Sequence, residues 1–498
     1  MHEIIEAVRR FDRVYDGATF ISDGRATLTR AGFAARAYSV ASALCPLPER
    51  IGILAENGID WAVAQIGGWI AGKVVVPLPL FFSTEQLGHI VRDAGLTHAV
   101  TTVSTAKLAA ELGLTSTNTF HADRKPAFES RPGAGQIVYT SGSTGRPKGV
   151  RLGLDQIDAS ARMLAQASHA GKSDTYLSIL PLPLLLETIG AICVPLVSGA
   201  SVRFEALLSA TVLKGHVAHI NEAIERHKPT STILVPELLS AWIADLERRG
   251  VKPADSLRFV AVGGAPVPED VSRRAWSLGI PVYEGYGLSE CCSVVCLNRS
   301  GERKPGTVGR PLKELNVVID NGEIVVDGPT VMQGYLNGAA HSGPYRTGDL
   351  GEIDGDGYIR VHGRVDNQIA TSLGRSICPE WIETMLIGDP RFASVAVTLN
   401  AASLPTVVII PTSKGAAWLS HASSSEVLRA IAERCDKAPA YALPKAFVTF
   451  SREEAISRGL LTGNGRFNRK ALRAAAANAQ TPTKRHANHP ILQPENMQ

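Results

Sequence analysis

Residues 137–150 read Ile-Val-Tyr-Thr-Ser-Gly-Ser-Thr-Gly-Arg-Pro-Lys-Gly-Val, an apolar run that delivers the chain into a segment of small, polar and basic residues. Gly142, Gly145 and Gly149 let backbone N–H groups come close to an anion. Thr140, Ser141, Ser143 and Thr144 supply hydroxyls that donate to its oxygens, and Lys148 supplies positive charge. Together they make a cradle for phosphate. It is not the common phosphate-binding loop, in which four residues separate the first Gly from Gly-Lys-Ser/Thr; here Gly142, Gly145 and Lys148 are spaced by threes. A flexible Gly/Ser linker is the plain alternative, but a linker needs neither the strand before it nor the Pro-Lys-Gly after it.

A cradle needs a scaffold, and the pattern on both sides of the loop supplies one. A helix is expected from the N-cap Thr29 through Phe33, Tyr38, Val40 and Leu44, where Pro46 stops it. Short apolar strands follow at 51–55, 74–77 and 98–103, with a helix at 57–71 between the first two. The same rhythm returns at 231–235, 257–262 and 281–283. Strands alternating with helices imply parallel sheets joined by crossover helices. Beyond about residue 315 the pattern changes to hairpins: Val317-Val-Ile-Asp-Asn-Gly-Glu-Ile-Val-Val326 carries an Asn-Gly turn between two β-branched runs. Asp354-Gly-Asp-Gly357 reads as a second hairpin turn, because the remaining ligands of a calcium loop are missing. After Arg364 the order is strand, helix, strand, strand, helix, strand, with Ser423 and Glu426 as a capping box for a helix through Arg434. The expected fold class is α/β: a large multi-lobed N-terminal domain with parallel sheets and a small barrel-like β part, followed by a small mobile α+β domain.

Composition narrows the chemistry. The 498 residues suffice for one large multi-lobed enzyme, and 45% hydrophobic with 20% charged residues is the usage of a globular chain with a large core. Lys+Arg 51 against Asp+Glu 47 leaves +4, too small an excess for a nucleic-acid footprint, so a small-molecule partner is expected. Seven scattered cysteines without CxxC pairs point to a reducing, cytoplasmic setting. Cys291, Cys292 and Cys296 read as small buried hydrophobes, and the thirteen histidines show no zinc spacing. The apolar stretch 179–197 contains Glu187 and three prolines, and no signal-peptide core can be drawn near the N-terminus, so no integral membrane segment is expected.

The loop resembles the signature of the AMP-forming acyl-adenylate superfamily, which includes acyl-CoA synthetases, luciferases and the adenylation domains of peptide synthetases. Further matches follow in the family's order: Tyr286-Gly-Leu-Ser-Glu290, Gly306-Thr-Val-Gly-Arg-Pro311, Tyr345-Arg-Thr-Gly-Asp-Leu-Gly351 and Gly363-Arg-Val-Asp366. The resemblance spans almost the whole chain, and the segment Thr371-Ser-Leu-Gly-Arg-Ser-Ile-Cys-Pro-Glu-Trp-Ile-Glu383 looks most like the branch that activates long-chain and related apolar acids.

The resemblance implies an activity and a site. The activity is ATP-dependent adenylation of an apolar carboxylic acid, fatty or aryl, to acyl-AMP and pyrophosphate. Transfer to a thiol follows, coenzyme A first and a carrier-protein thiol or an amine as the alternative. ATP and Mg2+ are the implied cofactors. Lys148, Glu290 and the residue at 466 would be catalytic, with Glu290 and Thr144 holding Mg2+. The nucleotide would lie against Thr140, Ser141, Gly142, Ser143, Thr144 and Gly145 of the loop. It would also meet Gly264, Ala265, Pro266, Glu284, Gly285, Tyr286, Gly287 and Ser289, with Tyr286 stacked on adenine and Asp349 and Arg364 gripping the ribose diol. Leu184, Val235 and Gly263 would line the acid pocket. Asp366 would be the hinge, giving 1–363 as the ATP- and acid-binding domain, 364–366 as hinge, 367–475 as mobile domain and 476–498 as a flexible tail. Taken singly, Tyr286 also reads as ordinary packing and Glu290 as a solvated carboxylate.

Two departures matter. The family's lysine lies in a C-terminal Asn-Gly-Lys, whereas this chain has Thr462-Gly-Asn-Gly-Arg466-Phe-Asn-Arg-Lys470. Arginine keeps the charge but replaces a compact ammonium by a planar fork, which leaves three outcomes open: slowed adenylation, direct use of Arg466, or recruitment of Lys470. A chain that binds nucleotide without turnover stands beside these. In Leu180-Pro-Leu-Pro-Leu-Leu-Leu-Glu187, Leu184 stands where many relatives carry an aromatic residue or His, and it reads equally as pocket wall and as core packing.

Overall fold

A computed structural model describes residues 2–13, 17–117, 133–140, 147–212, 219–370, 376–461 and 467–477. The chain divides into two compact units, Met1–Val361 and His362–Gln498. The first is α/β, built on a nine-stranded and a seven-stranded sheet. In the nine-stranded sheet the strands Thr19–Ser22, Ser201–Phe204, Thr175–Ser178, Ser231–Leu234, Phe259–Val262 and Val282–Leu288 lie side by side in parallel. Antiparallel strands Thr27–Thr29 and Ser293–Leu297 flank them. In the seven-stranded sheet Thr115–Thr117, His98–Thr101, Arg50–Leu54, Val74–Pro77 and Gly135–Thr140 are parallel, and Lys148–Gly153 and Gly334–Tyr335 are added antiparallel.

The helices form where the pattern places them. Arg30–Leu44 starts at the N-cap Thr29, whose side chain accepts from the Gly32 amide. Ile59–Ile70 is buried at every position except Asp60, as expected of a helix that is apolar all round. The two pack closely: a Cβ at Gly67 would lie 2.6 Å from Val40 Cγ1, so only glycine permits this approach. The second helix starts two residues later than the sequence pattern suggests. Asn57 is drawn out of it, its Nδ2 donating to Leu180 O (2.7 Å) and Ser209 Oγ (2.9 Å) while its Oδ1 accepts from Leu182 N (2.8 Å).

The β part is a four-stranded meander of Asn316–Asp320, Glu323–Asp327, Tyr345–Ile353 and Ile359–Arg364. Asn321 (φ 51°) and Gly322 (φ 83°) form the expected left-handed turn, and Asp354–Gly357 closes the second one. In the second unit Phe392–Leu399, Pro405–Pro411 and Ala446–Thr449 make a three-stranded sheet covered by Pro379–Ile387, Ser424–Arg434 and other helices. The capping box of Ser423 and Glu426 is present. Arg469–Ala476 is a helix that buries Leu472 and Ala476, one residue past the boundary expected at 475; residues 478–498 lie outside the described residues. Among the described residues no helix is long and apolar enough to cross a membrane.

Candidate functional site

Residues 141–146, with Ser141, Gly142, Ser143, Thr144 and Gly145, lie outside the described residues, but both ends of their loop are described. Thr140 closes one strand and stands directly opposite Lys148, which opens the next. The loop therefore caps an antiparallel hairpin and leads into no helix, which separates it structurally from the common phosphate-binding loop. A Cβ on Gly149 would press to 3.0 Å on Ile137, 3.1 Å on Tyr139 and 3.2 Å on Leu336, so the glycine allows three segments to meet behind Lys148. His89 Nε2 lies 3.1 Å from Pro147 O at the loop's exit. Lys148 is exposed, makes no ion pair among the described residues, and holds its ammonium 5.7 Å above the Tyr335 ring.

Glu290 is delivered by the strand Val282–Leu288 and the 3-10 turn Ser289–Cys291. The sequence pattern places this strand at 281–283. The structure continues it to Leu288, and both glycines are needed: a Cβ on Gly287 would fall 1.6 Å from Ser293 O, and one on Gly285 would fall 3.2 Å from Cys296 O. The chain reverses just after Glu290 through two left-handed residues, Cys292 (φ 50°) and Ser293 (φ 86°), a conformation that costs a side-chain-bearing residue about 1–3 kcal/mol. Buried Ser160 donates to the Cys292 carbonyl at 2.7 Å and secures the turn. Burial pushes up the thiols of Cys291, Cys292 and Cys296, in keeping with packing rather than reactivity.

Tyr335 donates to Glu290 Oε1 at 2.9 Å and lies 3.1 Å from the Tyr345 hydroxyl. Among the described residues the second oxygen of Glu290 accepts no hydrogen bond. A carboxylate oxygen with no partner among the described residues is a hard oxygen ligand of the kind Mg2+ takes, so Glu290 fits the Mg2+ role. Neither Tyr335 nor the partnership of Tyr345 is marked as a site by the sequence reading. The signal available is the Gly334-Tyr335 pair, where a Cβ on Gly334 (φ 122°) would strike Ala339 O at 2.5 Å.

The strand Tyr345–Ile353 carries a second pair. Tyr286 donates to Asp349 Oδ2 at 2.6 Å, and burial together with that carboxylate holds the phenol well above its ordinary range. Asp349 is 9% exposed, and its amide donates to Thr347 Oγ1 at 3.0 Å. Gly263 ends the strand Phe259–Val262 with its Cα against Gly285, where a Cβ would meet Gly285 O at 3.2 Å. Gly264 (φ 85°) and Pro266 are exposed and Ala265 half-buried, and Val235 Cγ1 lies 4.0 Å from the place a Gly264 Cβ would take. Glu284 is 6% exposed, its carboxyl pushed up to about 7 by burial. Leu184 precedes the turn Leu185–Thr188 and packs half-buried against the main core. The first unit thus brings together Lys148 with Glu290 through Tyr335, and Tyr286 with Asp349.

Arg364, Asp366 and Lys470 belong to the second unit and are exposed, while Arg466 lies outside the described residues. Arg469, beside Lys470, makes a bidentate ion pair with Glu383 and also reaches Glu380 at 3.3 Å. Asn367 Nδ2 donates to the same Glu380 at 2.5 Å.

The sequence profile described as AMP-binding enzyme matches residues 8–336. A malonate–CoA ligase of Arabidopsis thaliana is 26% identical over 86% of this chain and 78% of its own length. A feruloyl-CoA synthase of an Amycolatopsis species is 28% identical over 77% and 83%. Among solved structures, an o-succinylbenzoate coenzyme A synthetase from Bacillus subtilis, in complex with ATP and magnesium ion, superposes with a TM-score of 0.78 at 22% identity, covering 93% of this chain and 98% of that one.

Proposed function

The chain belongs to the AMP-binding enzymes and is a ligase of the acid–thiol class, and on that premise we propose that it joins an apolar carboxylic acid to coenzyme A through an acyl-adenylate. The observation that carries this reading is the pairing of Glu290 and Lys148 on either side of Tyr335, at the mouth of a loop rich in glycine and hydroxyls. In the first half-reaction the substrate carboxylate attacks the α-phosphorus of ATP, the bond to the β-phosphate oxygen breaks, and pyrophosphate leaves. Two anions meet in that step, so catalysis must come from cancelling charge and aligning the reactants. Glu290 and Thr144 would hold Mg2+, which would neutralise phosphate charge. Lys148 faces the phosphates, Tyr286 and Asp349 hold the nucleoside, and Arg466 brings the final cation. In the second half-reaction the thiol attacks the acyl carbon and AMP leaves with the bonding pair. The names of the two relatives, a CoA ligase and a CoA synthase, support the thiol acceptor.

The aliphatic segment Leu180 to Leu186, ordered by Asn57, favours an apolar acid, with medium and long acyl chains ahead of aryl acids. Each CH2 buried in the pocket adds about 0.8 kcal/mol until it is full. A panel of acids scored by ATP-dependent pyrophosphate release tests the whole reading. Turnover should rise with chain length and then fall, and preference for acetate or an amino acid would refute the pocket assignment. Arg466→Ala should abolish acyl-AMP formation while sparing thioester formation from supplied acyl-AMP, and Arg466→Lys should keep or raise activity. A wild type that binds ATP but activates no acid would instead be a nucleotide-binding protein without turnover.

A further inference from the structure

We propose that Tyr335 is a positioning residue for the metal-binding carboxylate: its hydroxyl occupies one oxygen of Glu290 so that the other is presented to Mg2+, and its ring seats the Lys148 ammonium alongside. The inference rests on the adenylating function proposed above. Three observations carry it. The segment around Tyr335 is hydrogen-bonded to both elements it would align: Met332 N donates to Glu290 O at 2.8 Å, Leu336 N donates to Gly149 O at 2.7 Å, and Tyr335 stands opposite Val150 in the antiparallel ladder. Glu290 and the Lys148 strand are therefore braced by one short piece of backbone. The hydroxyl chain has a fixed direction, because a phenol has one proton. Tyr335 donates its proton to Glu290, so the 3.1 Å contact with Tyr345 is a bond donated by Tyr345. Last, the Tyr335 ring lies 5.7 Å beneath the Lys148 ammonium, inside the range where a ring face attracts a cation. One side chain thus orients an anion through its edge and a cation through its face.

A carboxylate that rotates freely pays an orientational cost each time it takes up a metal, and a donated hydrogen bond to a charged oxygen removes much of that freedom. The test uses the full-length protein with Mn2+ as the probe and α,β-methylene ATP as a nucleotide that cannot react. Free Mn2+ is read by electron paramagnetic resonance. Tyr335→Phe keeps the ring and removes the hydroxyl. It should weaken Mn2+ binding about tenfold, with metal-free nucleotide affinity, melting temperature and thioester formation from supplied acyl-AMP unchanged. Tyr335→Leu should also weaken metal-free nucleotide binding, because Lys148 loses its ring. In a Glu290→Gln background, Tyr335→Phe should change nothing further. Tyr345→Phe gives a second arm should Tyr335→Phe fold poorly, with a smaller loss of Mn2+ affinity in the same direction. Unchanged Mn2+ affinity in the phenylalanine variants, or an equal loss in the Glu290→Gln background, overturns the inference while leaving the function standing. A wild type that takes up no Mn2+ with the nucleotide removes both.

Discussion

Glu290 and Glu187 each accept a hydrogen bond from a tyrosine at 2.9 Å, yet the two carboxyl groups are built for opposite ends. Glu187 is 0% exposed, and both its oxygens are taken, one by Tyr176 and the other by Ser178 at 2.6 Å. Burial pushes its pKa up to about 8, well above the ordinary carboxyl range, so the fold holds a proton there far more tightly than water does. Glu290 is half-buried, has one oxygen occupied, and faces an exposed lysine across a shared ring. The difference lies in the count of donors and the access of water, not in residue type. A carboxylate whose partners are all supplied by the fold is structural, whereas one left a partner short is available to a ligand.

The contrast can be broken most directly by removing charge at the open site. Lys148→Ala and Glu290→Gln should each lower acyl-AMP formation by about two to three orders of magnitude with little change in melting temperature. Wild-type pyrophosphate release from either folded variant would take that residue out of the chemistry. At the closed site the order reverses. Glu187→Ala strands two buried hydroxyls and should cost about 2–4 kcal/mol in urea unfolding, whereas turnover of the folded fraction should hardly change.

Glu187 also makes a pH test possible. Its folded pKa of about 8 lies above the ordinary 4.5, so the folded chain holds this proton more tightly than the unfolded one. That contribution is complete below pH about 4.5 and is lost as pH rises through about 8. Glu187→Gln should flatten this part of the unfolding profile, and an unaltered slope would show that Glu187 is ionised in the fold.

Tyr286→Phe tests the nucleoside end. Losing the donor to Asp349 should weaken binding of an unreactive ATP analogue roughly tenfold, about 1.4 kcal/mol, as measured by titration calorimetry. The smallest effect is a gain. Ser293→Gly relieves a left-handed backbone and removes a buried hydroxyl that has no partner among the described residues, offset by the added freedom of the unfolded chain. A net stabilisation of about 1 kcal/mol is expected, and a lower melting temperature would mean that the turn is unstrained.

The sequence disclosed the elements whose signals are local. Thr29 as N-cap, the Asn321-Gly322 turn and the Ser423 capping box depend on neighbours a few residues away, and all three stand where the pattern puts them. The make-up of the 137–150 segment brought Lys148 into view, and the family resemblance brought Glu290, Tyr286 and Asp349. What escaped notice is long-range. Asn57 leaves its helix to hold Leu180 and Leu182, more than a hundred residues away, and nothing in its own neighbourhood announces that. Tyr335 meets Glu290 only because a two-residue strand joins the edge of the sheet that carries Lys148. The strand through Glu284 runs on past Tyr283 to Leu288, and its glycines are the positions at which another backbone passes too close for any side chain.

Tyr345 and Asp349 are carried by one strand, with Thr347 and Asp349 on its buried face, so the hydroxyl bonded to Tyr335 and the carboxylate bonded to Tyr286 hang on a single short stretch that bends at the left-handed Gly348 (φ 71°). The arrangement sets how the gene can change length. Extra residues inserted at the exposed turn around Gly355 lengthen a connection and leave this face intact. One codon gained or lost between Tyr345 and Asp349 moves one of the two residues along the strand relative to the other. Tyr345 and Asp349 would then no longer meet Tyr335 and Tyr286 together, so this short stretch can vary by substitution but not by insertion or deletion.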